Sequence, residues 1–271
     1  MSDDRRRELG SSDAPIEDEV AEGFDATVSA GAQRVNRRLR DVIITGLFGG
    51  LEVGTGVMAY LGVLHETGSH LLAGIGFSIG FIALMLAHSE LFTENFLMPV
   101  AAVAAHEGTI AQLLRLWVGT LIANLVGGWV VMWLVVIAFP QWRDTVLEAG
   151  RHFTDAGFSA QTVVLAVLAG STITLMTRMQ AGTESDVAKI VASVAGGFLL
   201  AGFSLFHSIL DSLLIFGAID EGAGVTYAQW LAWFGPTLLF NVLGGVLLVT
   251  ALRLVRTKEL VQNRRREAAS D

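Results

Sequence analysis

Polar and ionisable residues interrupt an apolar stretch that is otherwise long enough to cross a membrane. The stretch covers residues 71–104, and its polar segment extends from His88 to Asn95. A second interruption, at residues 203–211, places His207 deep within another apolar segment. Ionisable side chains at membrane depth are costly and usually face a cavity or a pathway rather than lipid. Interrupted helices in corresponding halves of a chain are typical of a solute site near the middle of a bilayer, so we expect this chain to move a small solute.

Composition agrees with a membrane location. Hydrophobic residues make up 52% of the chain, the mean hydropathy is +0.56, and cysteine is absent. A spanning helix needs roughly 20 apolar residues, and six segments meet this requirement: about 42–64, 71–104, 112–139, 159–179, 188–217 and 229–256. We therefore predict an all-α integral membrane protein with six transmembrane helices, of which the second and the fifth are long enough to contain a break.

The distribution of basic residues predicts the orientation. Four arginines lie between residues 34 and 40, and a further basic cluster covers residues 256–266. Because cytoplasmic segments carry the excess of Lys and Arg, an even number of spans with two basic ends puts both termini in the cytoplasm. We expect a multi-pass protein of the inner (plasma) membrane.

Three regions follow along the chain: a cytoplasmic N-terminal tail at 1–40, a six-helix pore domain at 41–257 and a cytoplasmic C-terminal tail at 258–271. In the first tail, Ile16, Val20, Phe24 and Val28 recur at a spacing of four residues. This spacing predicts an amphipathic helix that lies on the membrane surface or packs beneath the pore.

Two landmarks indicate an internal repeat. Asn124 and Asn241 both stand in an Asn-apolar-apolar-Gly-Gly sequence. The pairs His88-Ser and His207-Ser are separated along the chain by nearly the same number of residues as these two asparagines. We therefore pair these histidines and predict a duplication, with repeats at about 41–139 and 158–257.

Each repeat would hold three spans, so the second copy must insert upside down and the two breaks must face each other. For Asn124 and Asn241 we favour a structural role over ligand contact. An amide at a helix break satisfies backbone groups that have lost their helical partners.

The ordered set of motifs resembles the formate/nitrite transporter family. The resemblance is carried by Phe77–Phe81, by Glu90–Asn95, by the His207-Ser pair and by the two asparagine motifs, and it covers roughly residues 34–256. It implies an aquaporin-like six-helix protomer that assembles as a homopentamer. Each protomer of such a pentamer has its own pore for small monovalent anions.

The resemblance also assigns residues by position. Thr93 matches the threonine of the broken second span, and His207 matches the central pore histidine. The family's apolar constrictions correspond here to Phe77, Phe81, Leu91, Phe92 and Leu200. A conserved basic residue on the cytoplasmic side falls in the region of Arg34 to Arg38.

Four positions depart from the family pattern. Glu94 replaces a small residue, Asp211 replaces an asparagine, Gly170 stands where the fourth span has an asparagine, and Glu52 lies within the first span. Extra acidic residues near a pore bear on anion selectivity, because a lone ionised carboxylate favours a cation.

The roles of several polar residues stay open at this point. A neutral His207 would donate a hydrogen bond to a passing anion or exchange a proton with it. The Thr93 hydroxyl would contact the solute or cap the helix fragment that follows it. Glu94, Asp211, Glu90 and His88 are candidates for selectivity groups or for a proton relay, and for Glu90 we favour a structural role.

The leading hypothesis is a membrane channel or transporter for small monovalent anions, such as formate-like or nitrite-like weak acids, with a proton linkage through His207 left open. One alternative keeps the fold and passes a small neutral or cationic solute. Another is a non-transporting membrane scaffold.

We do not expect an enzyme, since no phosphate-binding loop, nucleophile elbow or cofactor motif is present. The histidines of His65–His70 are five residues apart, off one helix face, so no metal site is predicted. No cofactor and no nucleic acid are expected; the partners are a small-molecule or ion substrate, the lipid bilayer and further copies of the chain.

Overall fold

The computed structural model describes residues 14–222 and 224–268, with side chains described from Asp18 onward except that of Glu267. All regular secondary structure in these ranges is helical, which confirms the predicted all-α class. The α-helices are α1 Ala14–Val35, α2 Leu39–Thr67, α3 His70–Leu86, α4 Met98–Ala104, α5 Ile110–Ala138, α6 Arg143–Thr154, α7 Ala160–Ala181, α8 Asp186–Gly202, α9 Leu210–Asp220, α10 Tyr227–Leu243, α11 Leu252–Arg256 and α12 Lys258–Ala268. Two 3₁₀ segments occur at Phe92–Phe96 and Pro140–Trp142, and a π-helical segment joins α10 to α11 at Gly244–Ala251.

Among the described residues, four helices are long and apolar enough to cross a membrane: α2, α5, α7 and the continuous helix Tyr227–Arg256. The two other apolar segments are divided. In one, α3 is followed by the 3₁₀ segment Phe92–Phe96 and the short α4; in the other, α8 and α9 are separated by residues 203–209. The helices on either side of each division are shorter than the roughly 20 residues that a spanning helix typically needs.

Sequence signals at the helix starts explain where three of the long helices begin. Thr109, Ser159 and Thr226 cap α5, α7 and α10, each through a capping box in which the residue three positions later bonds back to the cap. The boxes satisfy N–H groups that have no partner within the helix.

Glycines allow the long helices to cross closely at two equivalent points. A methyl group at Gly50 of α2 would overlap the carbonyl oxygen of Asn124 on α5, and one at Gly170 of α7 would overlap that of Asn241 on α10. Small residues permit such backbone contact inside a membrane. Gly170 therefore has no room for the asparagine that the family resemblance suggested at this position.

The N-terminal helix α1 packs against the end of the bundle rather than extending away from it. Phe24 and Val28 are buried against Ala101, Ala105 and Val261, which belong to or follow α4 and α12. The N-terminal and C-terminal helices therefore lie at the same end of the protein. Ile16, part of the predicted amphipathic face, lies outside the described side chains.

We expect Gly170→Ala to lower the free energy of unfolding by about 1–3 kcal/mol, because overpacking at a close contact forces the backbones of α7 and α10 apart. Gly202→Ala is the matched control, since a methyl group on this glycine of α8 would meet its nearest neighbour, the Cα of Leu71, at an ordinary contact distance of 3.5 Å. Thermal unfolding in detergent measures the difference. Equal midpoints for the two variants would contradict the close crossing.

Candidate functional site

The two breaks begin with the same backbone turn. After α3 the chain enters the left-handed region at His88 with φ 55°, and after α8 it does so at Ser204 with φ 50°. In each turn the next residue donates its N–H to a carbonyl five positions earlier, Ser89 to Leu84 and Leu205 to Leu200. Non-glycine residues rarely adopt this conformation, and the bonding pattern is that of a Schellman C-cap.

This match corrects the predicted pairing of the histidines. The counterpart of His88 is Ser204, not His207, and His88 is exposed at the end of a helix. The sequence offset was misleading because a His-Ser pair occurs in both breaks at different places. His88 is therefore separate from the buried centre of the site.

One asparagine satisfies the backbone of the first break. The side-chain oxygen of Asn124 accepts from the N–H of Phe92 at 2.7 Å. Its amide nitrogen donates to the carbonyl oxygens of Gly46 at 2.7 Å and Glu90 at 2.9 Å. The side chain is fully buried, so these bonds replace water that is missing at this depth.

The second break has the same clamp. The side-chain oxygen of Asn241 accepts from the N–H of Ser208 at 2.8 Å, and its amide donates to Ala166 and Phe206, both at 2.8 Å. Phe206 and Ser208 thus correspond to Glu90 and Phe92. The residue between each pair is His207 in one break and Leu91 in the other, which makes Leu91 the counterpart of His207.

His207 and Thr93 join the two breaks. Thr93 Oγ1 lies 3.0 Å from His207 Nε2, and both side chains are fully buried. The N–H of Leu210 donates to His207 Nδ1 at 3.1 Å. Because Nδ1 accepts this hydrogen bond, it carries no proton of its own in the neutral ring. The ring proton is therefore on Nε2, and it points toward Thr93. The alternative role of Thr93 as a helix cap is not supported, since the side chain points to His207 instead.

Asp211 holds the backbone next to this histidine. Its Oδ2 accepts from the N–H of His207 at 2.7 Å. The carboxylate therefore lies at the start of α9, where freed N–H groups and the helix dipole favour an acceptor. An asparagine could make the same bond, which explains how the two residue types exchange here.

Glu90 forms an ion pair with the chain that precedes α2. Arg37 Nη1 lies 2.6 Å from Glu90 Oε1, and Arg34 Nε lies 3.6 Å from the same oxygen. Arg34 also donates to the side-chain oxygen of Asn95 at 3.1 Å. These contacts connect the N-terminal segment to the first break.

The other two acidic residues have different surroundings. Glu94 is buried beside Thr93, and its N–H donates to the carbonyl of Leu91. Glu52 Oε1 accepts from the hydroxyl of Ser89 at 2.8 Å, so this carboxyl is tied to the start of the first break.

Open cavities approach the Thr93–His207 contact from both ends of the bundle. One, of about 350 Å³, lies at the C-terminal end of α7 and is lined by Arg34, Arg37, Glu90, Glu94 and Lys189 among others. The other, of about 400 Å³, lies at the N-terminal end of α7 and is lined by His152 and by Phe206, the neighbour of His207. Glu94 and Phe206, the chain neighbours of Thr93 and His207, thus line the mouths of these two cavities.

Apolar side chains from both breaks belong to one buried cluster. The five predicted constriction residues all belong to this cluster: Phe77, Phe81, Leu91, Phe92 and Leu200. Phe77 and Phe81 meet edge to face with ring centroids 4.9 Å apart. Phe92 packs edge to face on Phe96 and Trp117, so part of this cluster also fixes the 3₁₀ segment.

His152 lies at the second mouth, on α6 outside the spanning helices. Burial lowers the pKa of its imidazole, and the nearby His70 lowers it further. The ring contacts Phe153 and Phe206 edge to face. This mouth therefore carries an uncharged imidazole at neutral pH.

Sequence reasoning missed three residues that support the site. Trp117 Nε1 donates to the carbonyl of Asn95 at 3.0 Å, and Thr250 Oγ1 donates to that of Phe96 at 2.7 Å. The third is Asn95 itself, which accepts from Arg34. Thr250 could have been noticed as a single polar residue in an apolar span. Its partner, the carbonyl of Phe96, could not be inferred because it lies far away along the chain.

In the described part of the chain, no group of three or more His, Asp or Glu residues is placed to hold a metal ion. The two histidines of His65–His70 have separate partners, Thr145 for His65 and Tyr60 for His70. They do not form a joint site.

A helical bundle with membrane-crossing helices, two broken helices that meet in its interior and a cavity at each end has the architecture of a membrane channel or transporter. The family model for the formate/nitrite transporter matches residues 21–255. The chain belongs to the formate/nitrite transporter family, and membership in this family of transporters confirms that it is not an enzyme.

Relatives and solved structures agree with this family. The chain is 24% identical to inner membrane protein YfdC of Escherichia coli (strain K12) over 250 residues, which cover 88% of the chain and 79% of the relative. It is 28% identical to formate channel FocA of the same organism over 200 residues, or 69% of each protein. A pentameric formate channel with formate bound has a TM-score of 0.71 at 19% identity, with 81% of this chain and 97% of that chain covered.

We expect Asn241→Leu to destabilise the protein by at least about 1–3 kcal/mol, because the buried groups of Ser208, Ala166 and Phe206 lose their partner. Asn263→Leu, at an exposed position of α12, is the control. Thermal unfolding in detergent checks this. A midpoint for Asn241→Leu within a degree of the control would show that the clamp is not needed.

Proposed function

We propose that this protein is a channel or transporter for small monovalent anions, and that the anion passes between Thr93 and His207. The observation that carries the proposal is the buried contact of these two side chains, with an open cavity on either side. The names of the relatives support the solute class, since FocA of Escherichia coli and BtFdhC of Bacillus thuringiensis are both formate channels.

The chemistry of the contact suits an anion. His207 presents an N–H and Thr93 a hydroxyl, so a solute that displaces their mutual bond meets two donors. Apolar rings on either side strip water from the solute and block larger hydrated ions. In such a dry segment a hydrogen bond to a charged acceptor is stronger than in water.

The geometry favours hydrogen-bond donation over proton transfer at His207. A second proton on the ring would go to Nδ1, which already accepts from the N–H of Leu210. Charging the imidazole would place two N–H groups against each other, so the proposed role of His207 is to donate from Nε2. A proton that accompanies a weak acid would then be exchanged in the cavity at the C-terminal end of α7, which Glu94 and Glu90 line.

We infer that the pore domain consists of six spans in two inverted repeats. The repeated turns, the two asparagine clamps and the two glycine crossings support this inference. The contact of α1 with α12 supports two termini on one side, and the basic residues there favour the cytoplasm. The similar fold of the pentameric formate channel supports a homopentamer, and the inner membrane location of YfdC supports the same membrane for this chain.

Two contacts disfavour the cation alternative. The carboxylate of Asp211 is engaged with the backbone of His207, and that of Glu90 with Arg37. Both carboxylate charges are therefore partly compensated, that of Asp211 by a backbone N–H and that of Glu90 by a guanidinium group, while Glu90 Oε2 has no hydrogen-bond partner among the described residues. A non-transporting scaffold is disfavoured because it would not need cavities that approach the same buried donors from both ends.

We expect His207→Asn to reduce anion flux about 10- to 100-fold, the equivalent of losing one hydrogen bond to a charged group at about 1.5–3 kcal/mol. The asparagine oxygen can still accept from Leu210, so the fold keeps its local support while the Nε2–H donor is lost. Flux of formate and nitrite into proteoliposomes that contain the purified protein measures the effect.

Thr93→Ser and Asp211→Asn are the matched controls, because the first keeps the hydroxyl and the second keeps the acceptor for the His207 N–H. Both should pass anions and exclude sodium. Unchanged anion flux in His207→Asn would refute the role of His207. Sodium flux in the wild type that disappears in Asp211→Asn would favour the cation alternative.

A further inference from the structure

Three arginines line a groove at the end of the bundle that carries both termini. Arg178 lies in the last turn of α7, and Arg253 and Arg256 lie in α11. The groove, of about 70 Å³, is also lined by Phe24 of α1, Leu97 and Leu254. It shares no lining residue with the cavity that Glu90 and Glu94 line.

These three arginines have no acidic partner among the described residues, unlike Arg34 and Arg37 at the same end. No carboxylate lines the groove, and in the described part of the chain none forms an ion pair with Arg178, Arg253 or Arg256. By contrast, Arg264 nearby pairs with both Asp25 and Glu107. Three positive charges around one groove repel each other unless an anion is present.

The groove combines this charge with an apolar lining. The guanidinium group of Arg178 extends between Gly23 of α1 and Gly182. Val20, Phe24, Ala101 and Leu254 supply hydrocarbon surface beside it. A small inorganic anion would leave that surface uncovered, whereas a ligand with both a phosphate and hydrocarbon would cover it.

The position in the fold points to a lipid. The groove lies at the ends of two membrane-crossing helices, α7 and Tyr227–Arg256, which is the depth of phospholipid headgroups. Clusters of Lys and Arg at this depth on the cytoplasmic side attract anionic lipids. Arginine suits phosphate because its planar fork donates two parallel bonds.

We propose that this arginine groove binds the phosphate of an anionic phospholipid, whose hydrocarbon portion packs against Phe24 and Leu254. The site links α1 to the transmembrane helices, because α1 supplies one wall and α7 and α11 supply the cations. It also adjoins the first break. Thr250, which lines the groove, donates to the carbonyl of Phe96 in the 3₁₀ segment that holds Thr93.

Native mass spectrometry of the purified full-length protein tests the proposal, with phosphatidylglycerol and phosphatidylcholine added in separate titrations. The wild type should bind phosphatidylglycerol about tenfold more tightly than phosphatidylcholine, and Arg178→Gln/Arg253→Gln should remove most of that preference. Arg40→Gln, an exposed arginine outside the groove, is the matched control and should keep it.

Two results would overturn the proposal. One is a double variant that retains the same preference for phosphatidylglycerol as Arg40→Gln. The other is arginine-dependent binding of inorganic phosphate at millimolar concentration with equal affinity for the two lipids, which would indicate a site for a soluble anion. If the double variant does not assemble, Arg256→Gln, whose side chain is exposed, should still weaken phosphatidylglycerol binding about threefold.

Discussion

The structure depends on how backbone polar groups are satisfied where helices break inside a membrane. Each uncompensated N–H or C=O in hydrocarbon costs several kcal/mol, and no water is available to replace the lost helical bonds. Asn124 and Asn241 supply the replacement, each with one acceptor and two donors used in full. Because both clamps also bond to a neighbouring long helix, they fix the position of the breaks as well as their shape.

Because the breaks are fixed in position, the neighbours of His207 determine which of its ring nitrogens carries the proton. Its ring is held by the Leu210 N–H on one side and faces Thr93 on the other, while Asp211 secures its backbone. The imidazole is therefore a donor toward Thr93 without needing a positive charge. A neutral donor in a dry segment can bind an anion and release it, since it offers less attraction than a fixed cation.

Much of this could be predicted from the sequence. Asn124 and Asn241 were visible because a buried amide in a repeated motif has few other uses in a membrane helix, and the interruptions at 88–95 and 203–211 were visible because ionisable residues are rare there. The pairing of His88 with His207 was wrong. The two breaks correspond at the left-handed turns of His88 and Ser204. Because neither residue is a glycine, the sequence does not show that the backbone is left-handed at these positions. Partners from distant segments, such as Arg37 with Glu90 and Thr250 with Phe96, depend on how helices pack and could not be inferred.

The most direct test of the passage uses the absence of cysteine from the chain. In Thr93→Cys the new thiol would lie beside His207 Nε2, so mercuric chloride, a small uncharged molecule, should reach it and stop anion flux in proteoliposomes. Leu134→Cys, at an exposed apolar position of α5, should be unaffected under the same treatment. If Thr93→Cys conducts anions and mercury labels it without changing the flux, the solute does not pass between Thr93 and His207.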